Sequence, residues 1–223
     1  MTGFLASVKN LNEAKIASMA TIDILDVKNV SDGALGFVGE NIIINIRKKL
    51  PNHTISVTMG NDEDPSSIKF KDKVQTMINE KIDYIKIGLF NKRFIPQHKQ
   101  LLKSLSLEKT KAVCVVFADL DFDINLIEDI IKCGYQGVMI DTHNKTDKSL
   151  IEILPIDIIK RFVKIIRKSK RICGLSGSLK LKHISILKDL SPDFLGFRGQ
   201  ICMKGRDKIN MDLINQVAYA IRN

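Results

Sequence analysis

The feature that most constrains the fold of this chain is a regular alternation of short apolar runs and longer segments with helical periodicity. The apolar runs are rich in Ile and Val, and they recur roughly every 28 residues, each followed by a segment whose apolar residues repeat every three or four positions. Such alternation is typical of successive βα units, and eight can be counted. Strands are predicted at residues 4–8, 23–28, 54–59, 84–89, 112–118, 137–142, 172–176 and 194–198.

Eight units of similar length favour a closed barrel. A doubly wound open sheet is the alternative α/β architecture, but no dinucleotide-binding glycine pattern follows the first predicted strand. Loops are short, and no linker rich in Pro, Gly or Ser divides the chain. We therefore predict an α/β fold, a (β/α)8 TIM barrel, as a single domain over residues 1–223. Asn10 with Glu13 is predicted to cap the first helix, and Pro155 to begin the sixth.

Several protein classes are disfavoured by what the sequence lacks. The first residues carry too short an apolar stretch for a secretory leader, and no segment has the apolar length of a membrane span. A cytoplasmic protein without a membrane partner is predicted. Cys114, Cys133, Cys173 and Cys202 form no Cys-x-x-Cys pair and have no His at zinc spacing, so they are expected to be reduced, mostly buried thiols rather than disulfides or metal ligands.

The chain is strongly basic, with 35 Lys and Arg against 25 Asp and Glu and a formal net charge of +10. Such a charge attracts nucleic acid, anionic membranes or anionic metabolites alike. The basic residues are spread along the whole chain, and no nucleic-acid motif with stacking aromatic residues accompanies them. No nucleic-acid partner is predicted, although a nucleic-acid-binding protein on a barrel scaffold remains the alternative from a different class.

Candidate catalytic residues lie at the carboxyl ends of the predicted strands, where a β/α barrel assembles its active site. Along the second strand, alternation places Leu25 and Val27 on one face and Asp26 and Lys28 on the other. The apolar pair suits the helix layer. Asp26 and Lys28 are therefore expected to point into the barrel mouth.

The same alternation applies to the fourth and sixth strands. It turns Lys86 inward between Ile85 and Ile87, and it turns Asp141 inward, with Lys145 on the following loop. One alternative is that these charges form a structural ion-pair layer. Convergence of three lysines and two aspartates on one rim favours function instead, because burying unused charges costs several kcal/mol.

A cluster of lysines is suited to imine chemistry. Positive neighbours and desolvation both favour the neutral amine, which attacks the carbonyl carbon of an aldehyde or ketone. Lys28 is predicted to be this nucleophile, while a second lysine or an aspartate moves protons at the neighbouring carbon.

Small residues follow the last two predicted strands. Gly177 and Ser178 come after the seventh strand, and Arg198 and Gly199 end and follow the eighth. These two loops form the usual phosphate site of such barrels, in which backbone N–H groups at the start of a helix bind the anion. A substrate phosphate site is predicted here, and the alternative is that the glycines only permit tight turns.

Other polar residues are weaker candidates. Asp119, after the fifth strand, is a candidate acid or base but is more typical of a cap, and His143 is a candidate proton shuttle but is more typical of a solvent-facing loop. Ser7 ends the first strand and offers at most a hydrogen bond to substrate. His53, His98 and His183 have no partner that the sequence reveals.

The motifs that carry these residues resemble those of the (5-formylfuran-3-yl)methyl phosphate synthase family of methanofuran biosynthesis, also called 4-(hydroxymethyl)-2-furancarboxaldehyde-phosphate synthase. The resemblance runs nearly from end to end. It is carried by DILDVKNVSDGALG from Asp23, DYIKIGL from Asp83, IDTHNKTDKSL from Ile140, GLSGSLKLKHISILKDL from Gly174 and DFLGFRGQICMKGRD from Asp193.

The resemblance implies a β/α-barrel lyase that condenses two molecules of glyceraldehyde 3-phosphate, with loss of phosphate and water, into a furan phosphate. It implies that Lys28 is the Schiff-base lysine and Lys86 the proton acceptor. Asp26, Asp141 and Lys145 match the supporting charged residues, and neither a metal nor an organic cofactor is implied. Another Schiff-base aldolase or a proton-transfer lyase acting on sugar phosphates remains the alternative enzyme, and a homo-oligomer is left open.

Overall fold

A computed structural model describes residues 1–144 and 148–223. Eight strands form a parallel sheet: β1 (Gly3–Val8), β2 (Ile24–Val27), β3 (Ile55–Thr58), β4 (Tyr84–Gly88), β5 (Lys111–Phe117), β6 (Gly137–Asp141), β7 (Ile172–Leu175) and β8 (Phe194–Phe197). They follow one another around a closed barrel in chain order, and β1 pairs with β8 to close it. The predicted barrel is confirmed, and each predicted strand end agrees to within one residue.

Helices connect the strands on the outside of the barrel. They are α1 (Leu11–Ser18), α2 (Glu40–Lys49), α3 (Ile68–Asn79), α4 (Ile95–Lys103), α5 (Ile127–Lys132), α6 (Leu150–Ile153), α7 (Ile156–Lys168), α8 (Ile184–Lys188) and α9 (Met211–Arg222). Short 3-10 turns occur at Lys92–Phe94, Ile124–Leu126, Leu181–His183 and Gly199–Ile201. Within the part of the chain that the structure describes, no helix combines the length and the apolar character needed to cross a membrane.

Two predicted helix starts behave differently. The Asn10 side chain accepts a hydrogen bond from the Glu13 amide at 3.0 Å, as expected of a cap, while a Glu13 carboxylate oxygen accepts one from the Lys9 amide at 2.9 Å. Pro155 immediately precedes α7 rather than opening the first helix of that connection, because the separate one-turn helix α6 comes before it.

Alternation along the strands divides the core into two parts. Outward side chains such as Leu25, Val27 and Ile85 pack with the helices in the larger apolar cluster. Inward side chains such as Leu5, Ile24 and Met139 form a smaller cluster inside the barrel. This is the division that the predicted strand register requires.

Part of the smaller cluster lies at the amino-terminal end of the barrel. Ile24 and Tyr84 point inward two residues before Asp26 and Lys86, and the Tyr84 ring meets the Phe194 ring edge to face at 6.3 Å. Gly174 makes room for Met139 beside them, since a Cβ atom at Gly174 would lie 2.9 Å from Met139 Cγ. The inward charges of the next layer therefore rest on an apolar floor.

Candidate active site

A cavity of about 720 Å³ opens at the carboxyl ends of the strands, the position at which barrel enzymes bind substrate. Its volume lies in the range of pockets for metabolite-sized ligands. Eight of the nine predicted site residues line its wall: Asp26, Lys28, Lys86, Asp141, Gly177, Ser178, Arg198 and Gly199. The ninth, Lys145, lies outside the described residues.

Asp26 is the centre of a buried polar cluster in the cavity wall. One carboxylate oxygen accepts a hydrogen bond from Ser7 Oγ at 2.9 Å, and the other accepts one from Ser56 Oγ at 3.0 Å. The Lys86 ammonium makes an ion pair with the latter oxygen. Both charged side chains are almost completely buried, and the two hydroxyls and the ammonium together satisfy the carboxylate.

Strand register explains why the cluster forms. Asp26 lies opposite Ser7 on β1 and opposite Ser56 on β3, so the two hydroxyls flank it at one level of the barrel. Lys86 lies opposite Thr58 and reaches back to Asp26 across β3. The sequence interpretation did not identify Ser56, although alternation along β3 turns it inward and could have revealed it.

Lys28 follows β2 directly and lies on the same inner face as Asp26. Its backbone amide donates to the Val8 carbonyl at 3.0 Å, which continues the extended register beyond the strand end. The residue is only 4% exposed, and it lines the cavity. A ligand in the cavity therefore meets a lysine that is largely withdrawn from solvent.

On the opposite side of the cavity, Asp141 ends β6 and accepts a hydrogen bond from the Thr142 amide at 2.7 Å. The next loop is held by Asp119, whose carboxylate accepts hydrogen bonds from the amides of His143 at 2.6 Å and Asn144 at 2.7 Å. Asp119 thus acts as a cap, and it does not line the cavity.

His143 does not line the cavity either. Its ring packs edge to face against Phe90 and Phe117, at centroid distances of 5.8 and 5.5 Å. The sequence interpretation favoured a solvent-facing histidine, but the residue is half-buried in this aromatic contact. Aromatic packing from the ends of β4 and β5 decides its position, and sequence spacing does not show that packing.

The loops after β7 and β8 line the cavity and contain backbone N–H groups that are available to a ligand. Gly177 and Ser178 both have positive φ angles, 107° and 49°. Among the described residues, the amides of Gly177, Ser178, Gly199 and Gln200 donate to no protein acceptor. In the part of the chain that the structure describes, the three-residue turns Leu181–His183 and Gly199–Ile201 follow these loops, so the candidate anion site is a nest of loop amides rather than the start of a long helix.

Arg198 has a different environment from the one expected. Its guanidinium donates to both Glu13 carboxylate oxygens, at 2.6 and 3.2 Å, and to the carbonyls of Ser7, Arg206 and Asp207, at 3.0, 2.8 and 2.8 Å. These five hydrogen bonds use all five N–H groups of the side chain. Arg198 is predicted to bind a substrate phosphate, but each N–H group of its guanidinium already has a protein acceptor. A phosphate would have to displace one of these acceptors.

The cysteines offer no competing nucleophile. All four are free and buried, as predicted. Cys202 lines the cavity, and burial raises the pKa of its thiol, which keeps it protonated at neutral pH and makes it a weak nucleophile. In residues 1–144 and 148–223, no three His, Cys, Asp or Glu side chains lie close enough together to hold a metal ion.

Comparison with known proteins agrees with the fold and the motifs. The family model described as 4-HFC-P synthase matches residues 4–218. The (5-formylfuran-3-yl)methyl phosphate synthase of Methanocaldococcus jannaschii is 32% identical over 92% of each chain, and that of Methanococcus maripaludis strain C5 is 29% identical over 96% of each chain. The crystal structure of 3-hexulose-6-phosphate synthase from Salmonella typhimurium shares the fold, with a TM-score of 0.74, 15% identity and 99% coverage of each chain.

The match covers nearly the whole chain, and the relatives are named as enzymes, so the prediction of an enzyme acting on phosphates is confirmed. The chain belongs to the 4-HFC-P synthase family.

Proposed function

We propose that this chain is a (5-formylfuran-3-yl)methyl phosphate synthase, which condenses two molecules of glyceraldehyde 3-phosphate and releases one phosphate and two waters. The observation that carries the proposal is a buried lysine, Lys28, in the wall of a cavity that also contains the Asp26–Lys86 ion pair. The names of the relatives support the product. We assign the amine, the acid–base pair and the anion site that the chemistry needs to residues that line this cavity.

The first proposed step is imine formation at Lys28. The Nζ atom of its neutral amine attacks the aldehyde carbon of one triose phosphate, and loss of water from the adduct gives an iminium ion. The amine lies on the inner face of the barrel, above the apolar floor, and is almost fully buried. A site that excludes bulk water favours the imine, because water is the reagent that reverses its formation.

The second step removes a proton from the carbon beside the iminium. Lys86 and Asp26 are in direct contact and line the same cavity, so the pair can take up this proton. The electrons released by the C–H bond then expel the phosphate from the third carbon. The third carbon of the remaining unit then adds to a carbonyl carbon of the second triose phosphate. Ring closure with two dehydrations releases two waters, and hydrolysis of the imine consumes the water released when it formed and frees Lys28.

The phosphate groups are bound at the loops after β7 and β8. The amides of Gly177, Ser178, Gly199 and Gln200 supply N–H donors that have no acceptor among the described residues. Four such donors suit the oxygens of a phosphate monoester. In this proposal Arg198 orders the loop that carries Gly199, since its guanidinium is already engaged by Glu13 and three carbonyls.

The proposed reaction uses the amines and carboxylates of the chain and needs no metal or organic cofactor.

The test is product formation from glyceraldehyde 3-phosphate by the purified protein. A furan aldehyde absorbs strongly in the near ultraviolet, and one inorganic phosphate should appear for each furan formed. An ordinary imine-forming aldolase would release no phosphate and give a product without that absorption. Consumption of the triose phosphate with neither signal would contradict the proposal in favour of the aldolase.

Lys28→Arg separates the imine role from a purely electrostatic one. Arginine keeps the positive charge but stays protonated, so turnover is expected to fall by about a thousandfold or more. Lys48→Arg on the exposed face of α2 is the matched control, and it should retain wild-type turnover. Equal turnover in the two variants would contradict the assignment of Lys28.

A further inference from the structure

Arg206 is a cation in the cavity wall that the proposed chemistry has not used. It lies on the loop between the turn Gly199–Ile201 and α9, and it is half-buried against the cavity. Among the described residues, its guanidinium donates to no acceptor and makes no ion pair. By contrast, Lys86 is paired with Asp26, and Arg198 with Glu13. Arg206 is therefore available to a ligand in a way that Arg198 is not.

The loop that carries Arg206 is held in place at both ends and near its middle. An antiparallel bridge joins Cys202 to Ile209, and the Met203 amide donates to the Lys208 carbonyl at 3.0 Å. Arg198 donates to the carbonyl of Arg206 itself at 2.8 Å. These contacts fix the backbone from which the Arg206 side chain extends into the cavity.

Arg206 lines the same cavity as the loops after β7 and β8 and as Asp141. Burial lowers its pKa, and the charge of Asp141 on β6 opposes that effect, which places the two groups within electrostatic range across the mouth. The same loop approaches the amide nest, since a Cβ atom at Gly199 would lie 3.7 Å from the Gly205 carbonyl oxygen. Arg206 and the residues that carry the free amides thus border one cavity.

We propose that Arg206 is the side-chain ligand of the substrate phosphate, bound together with the amides of the β7 and β8 loops. This inference rests on the proposed function, and it assigns to Arg206 the role that the sequence had given to Arg198. The planar guanidinium matches two oxygens of a phosphate monoester, and its fixed charge favours the dianion over a neutral group. Arg198 is the positioning residue that holds the Arg206 backbone, and Arg206 makes the enzyme selective for phosphorylated aldehydes.

The test measures binding of inorganic phosphate by calorimetry, without turnover. Arg206→Gln should raise the Kd for phosphate by about ten- to a hundredfold, the loss typical of a charge-assisted hydrogen-bonding pair. Lys204→Gln is the matched control, because it removes one positive charge from an exposed residue of the same loop. It should change the Kd by less than about threefold, since charge in high dielectric contributes little. Equal Kd values for the two variants would overturn the proposal.

Arg206→Lys keeps the charge and removes the planar fork, so it tests the same claim if the glutamine variant does not fold. Its expected Kd for phosphate is about tenfold above that of the wild type, and an unchanged Kd would overturn the proposal. The result is independent of the reaction. If the wild type forms no furan but Arg206→Gln has the expected weaker affinity for phosphate, the proposed function fails and the assignment of Arg206 as the phosphate ligand is supported. If the wild type forms furan and Arg206→Gln keeps its phosphate affinity, only the role of Arg206 fails.

Discussion

At the scale of single residues, the cavity wall contains two kinds of polar group. Its buried charges have partners within the protein, whereas some of its backbone N–H donors have no acceptor among the described residues. The Asp26 carboxylate has the Ser7 and Ser56 hydroxyls and the Lys86 ammonium as partners, so its desolvation is offset by three favourable contacts. Such a cluster holds Lys86 in one geometry. Ser7 and Ser56 thereby become positioning residues for Lys86, because they act on it through the Asp26 carboxylate.

This arrangement predicts the effect of Ser56→Ala. Removal of the hydroxyl leaves the Asp26 oxygen that faces Lys86 with one donor fewer, which should loosen the position of the ion pair. We expect kcat to fall by about three- to thirtyfold while KM changes little. Ser56→Thr, which keeps the hydroxyl, should restore kcat. A wild-type kcat in Ser56→Ala would contradict a positioning role.

Much of the site could be predicted at this scale, because alternation along a strand determines which side chains face inward. Asp26, Lys28, Lys86 and Asp141 all line the cavity for that reason. Arg206 could not be predicted in the same way. Its position depends on hydrogen bonds from Arg198 to the loop backbone, and no local pattern in the sequence encodes them.

At the scale of secondary-structure elements, the Glu13–Arg198 pair joins α1 to the loop after β8. Both side chains are less than a tenth exposed, and the shortest contact is 2.6 Å. The same guanidinium reaches the Ser7 carbonyl on β1 and the Arg206 and Asp207 carbonyls on the loop. One arginine therefore fixes the relative positions of a helix, a strand and the loop that borders the cavity.

Glu13→Gln should consequently destabilise the chain. The substitution leaves the Arg198 charge buried without its counter-ion, which costs about 3–5 kcal/mol of unfolding free energy. Denaturant titration measures the loss. Asp207→Asn is the matched control, because it also removes one negative charge but from an exposed ion pair with Lys9, and it should leave the unfolding free energy nearly unchanged. Equal effects of the two substitutions would contradict a structural role for the buried pair.

A second element contact makes stability depend on pH. His98 on α4 is 1% exposed, and its Nδ1 atom lies 2.5 Å from the Tyr135 hydroxyl oxygen just before β6. Burial lowers the pKa of His98 from 6.5 to about 4. Between these two values the unfolded chain binds a proton at this residue that the folded chain does not.

The unfolding free energy should therefore fall as the pH is lowered from 6.5 towards 4, by up to about 3 kcal/mol from His98 alone. His98→Gln should reduce this dependence relative to the wild type, because glutamine can keep a hydrogen bond to Tyr135 but does not titrate. Urea titrations of both proteins across this pH range measure the difference. Parallel stability curves would show that His98 carries a proton in the folded state as well.

At the scale of the whole molecule, the eight-fold recurrence determined the architecture. Apolar runs of similar spacing became neighbouring strands, and closure between β1 and β8 leaves no unpaired edge in the barrel. The connections were harder to predict. The connection after β6 contains two helices, and those after β4, β5, β7 and β8 contain three-residue turns that helical periodicity does not predict. In the connection after β8, the hydrogen bond from Arg198 to the Asp207 carbonyl helps to shape the loop.

That residues 1–223 form one domain stays a prediction, and heat unfolding tests it. The barrel strands come from both ends of the chain, so loss of β1 or β8 opens the same sheet. We expect one calorimetric transition whose van't Hoff enthalpy equals the calorimetric enthalpy. Two separable transitions would indicate independently folding parts.

The most direct test of the central claim is the covalent trapping of substrate on Lys28. Glyceraldehyde 3-phosphate and borohydride are added to the purified protein, and the reduced adduct is located by peptide mass spectrometry. Imine formation predicts one triose-derived adduct on Lys28, which is absent from Lys28→Arg and undiminished in Lys48→Arg. Adducts scattered over exposed lysines, or an unmodified Lys28 under conditions of turnover, would contradict it.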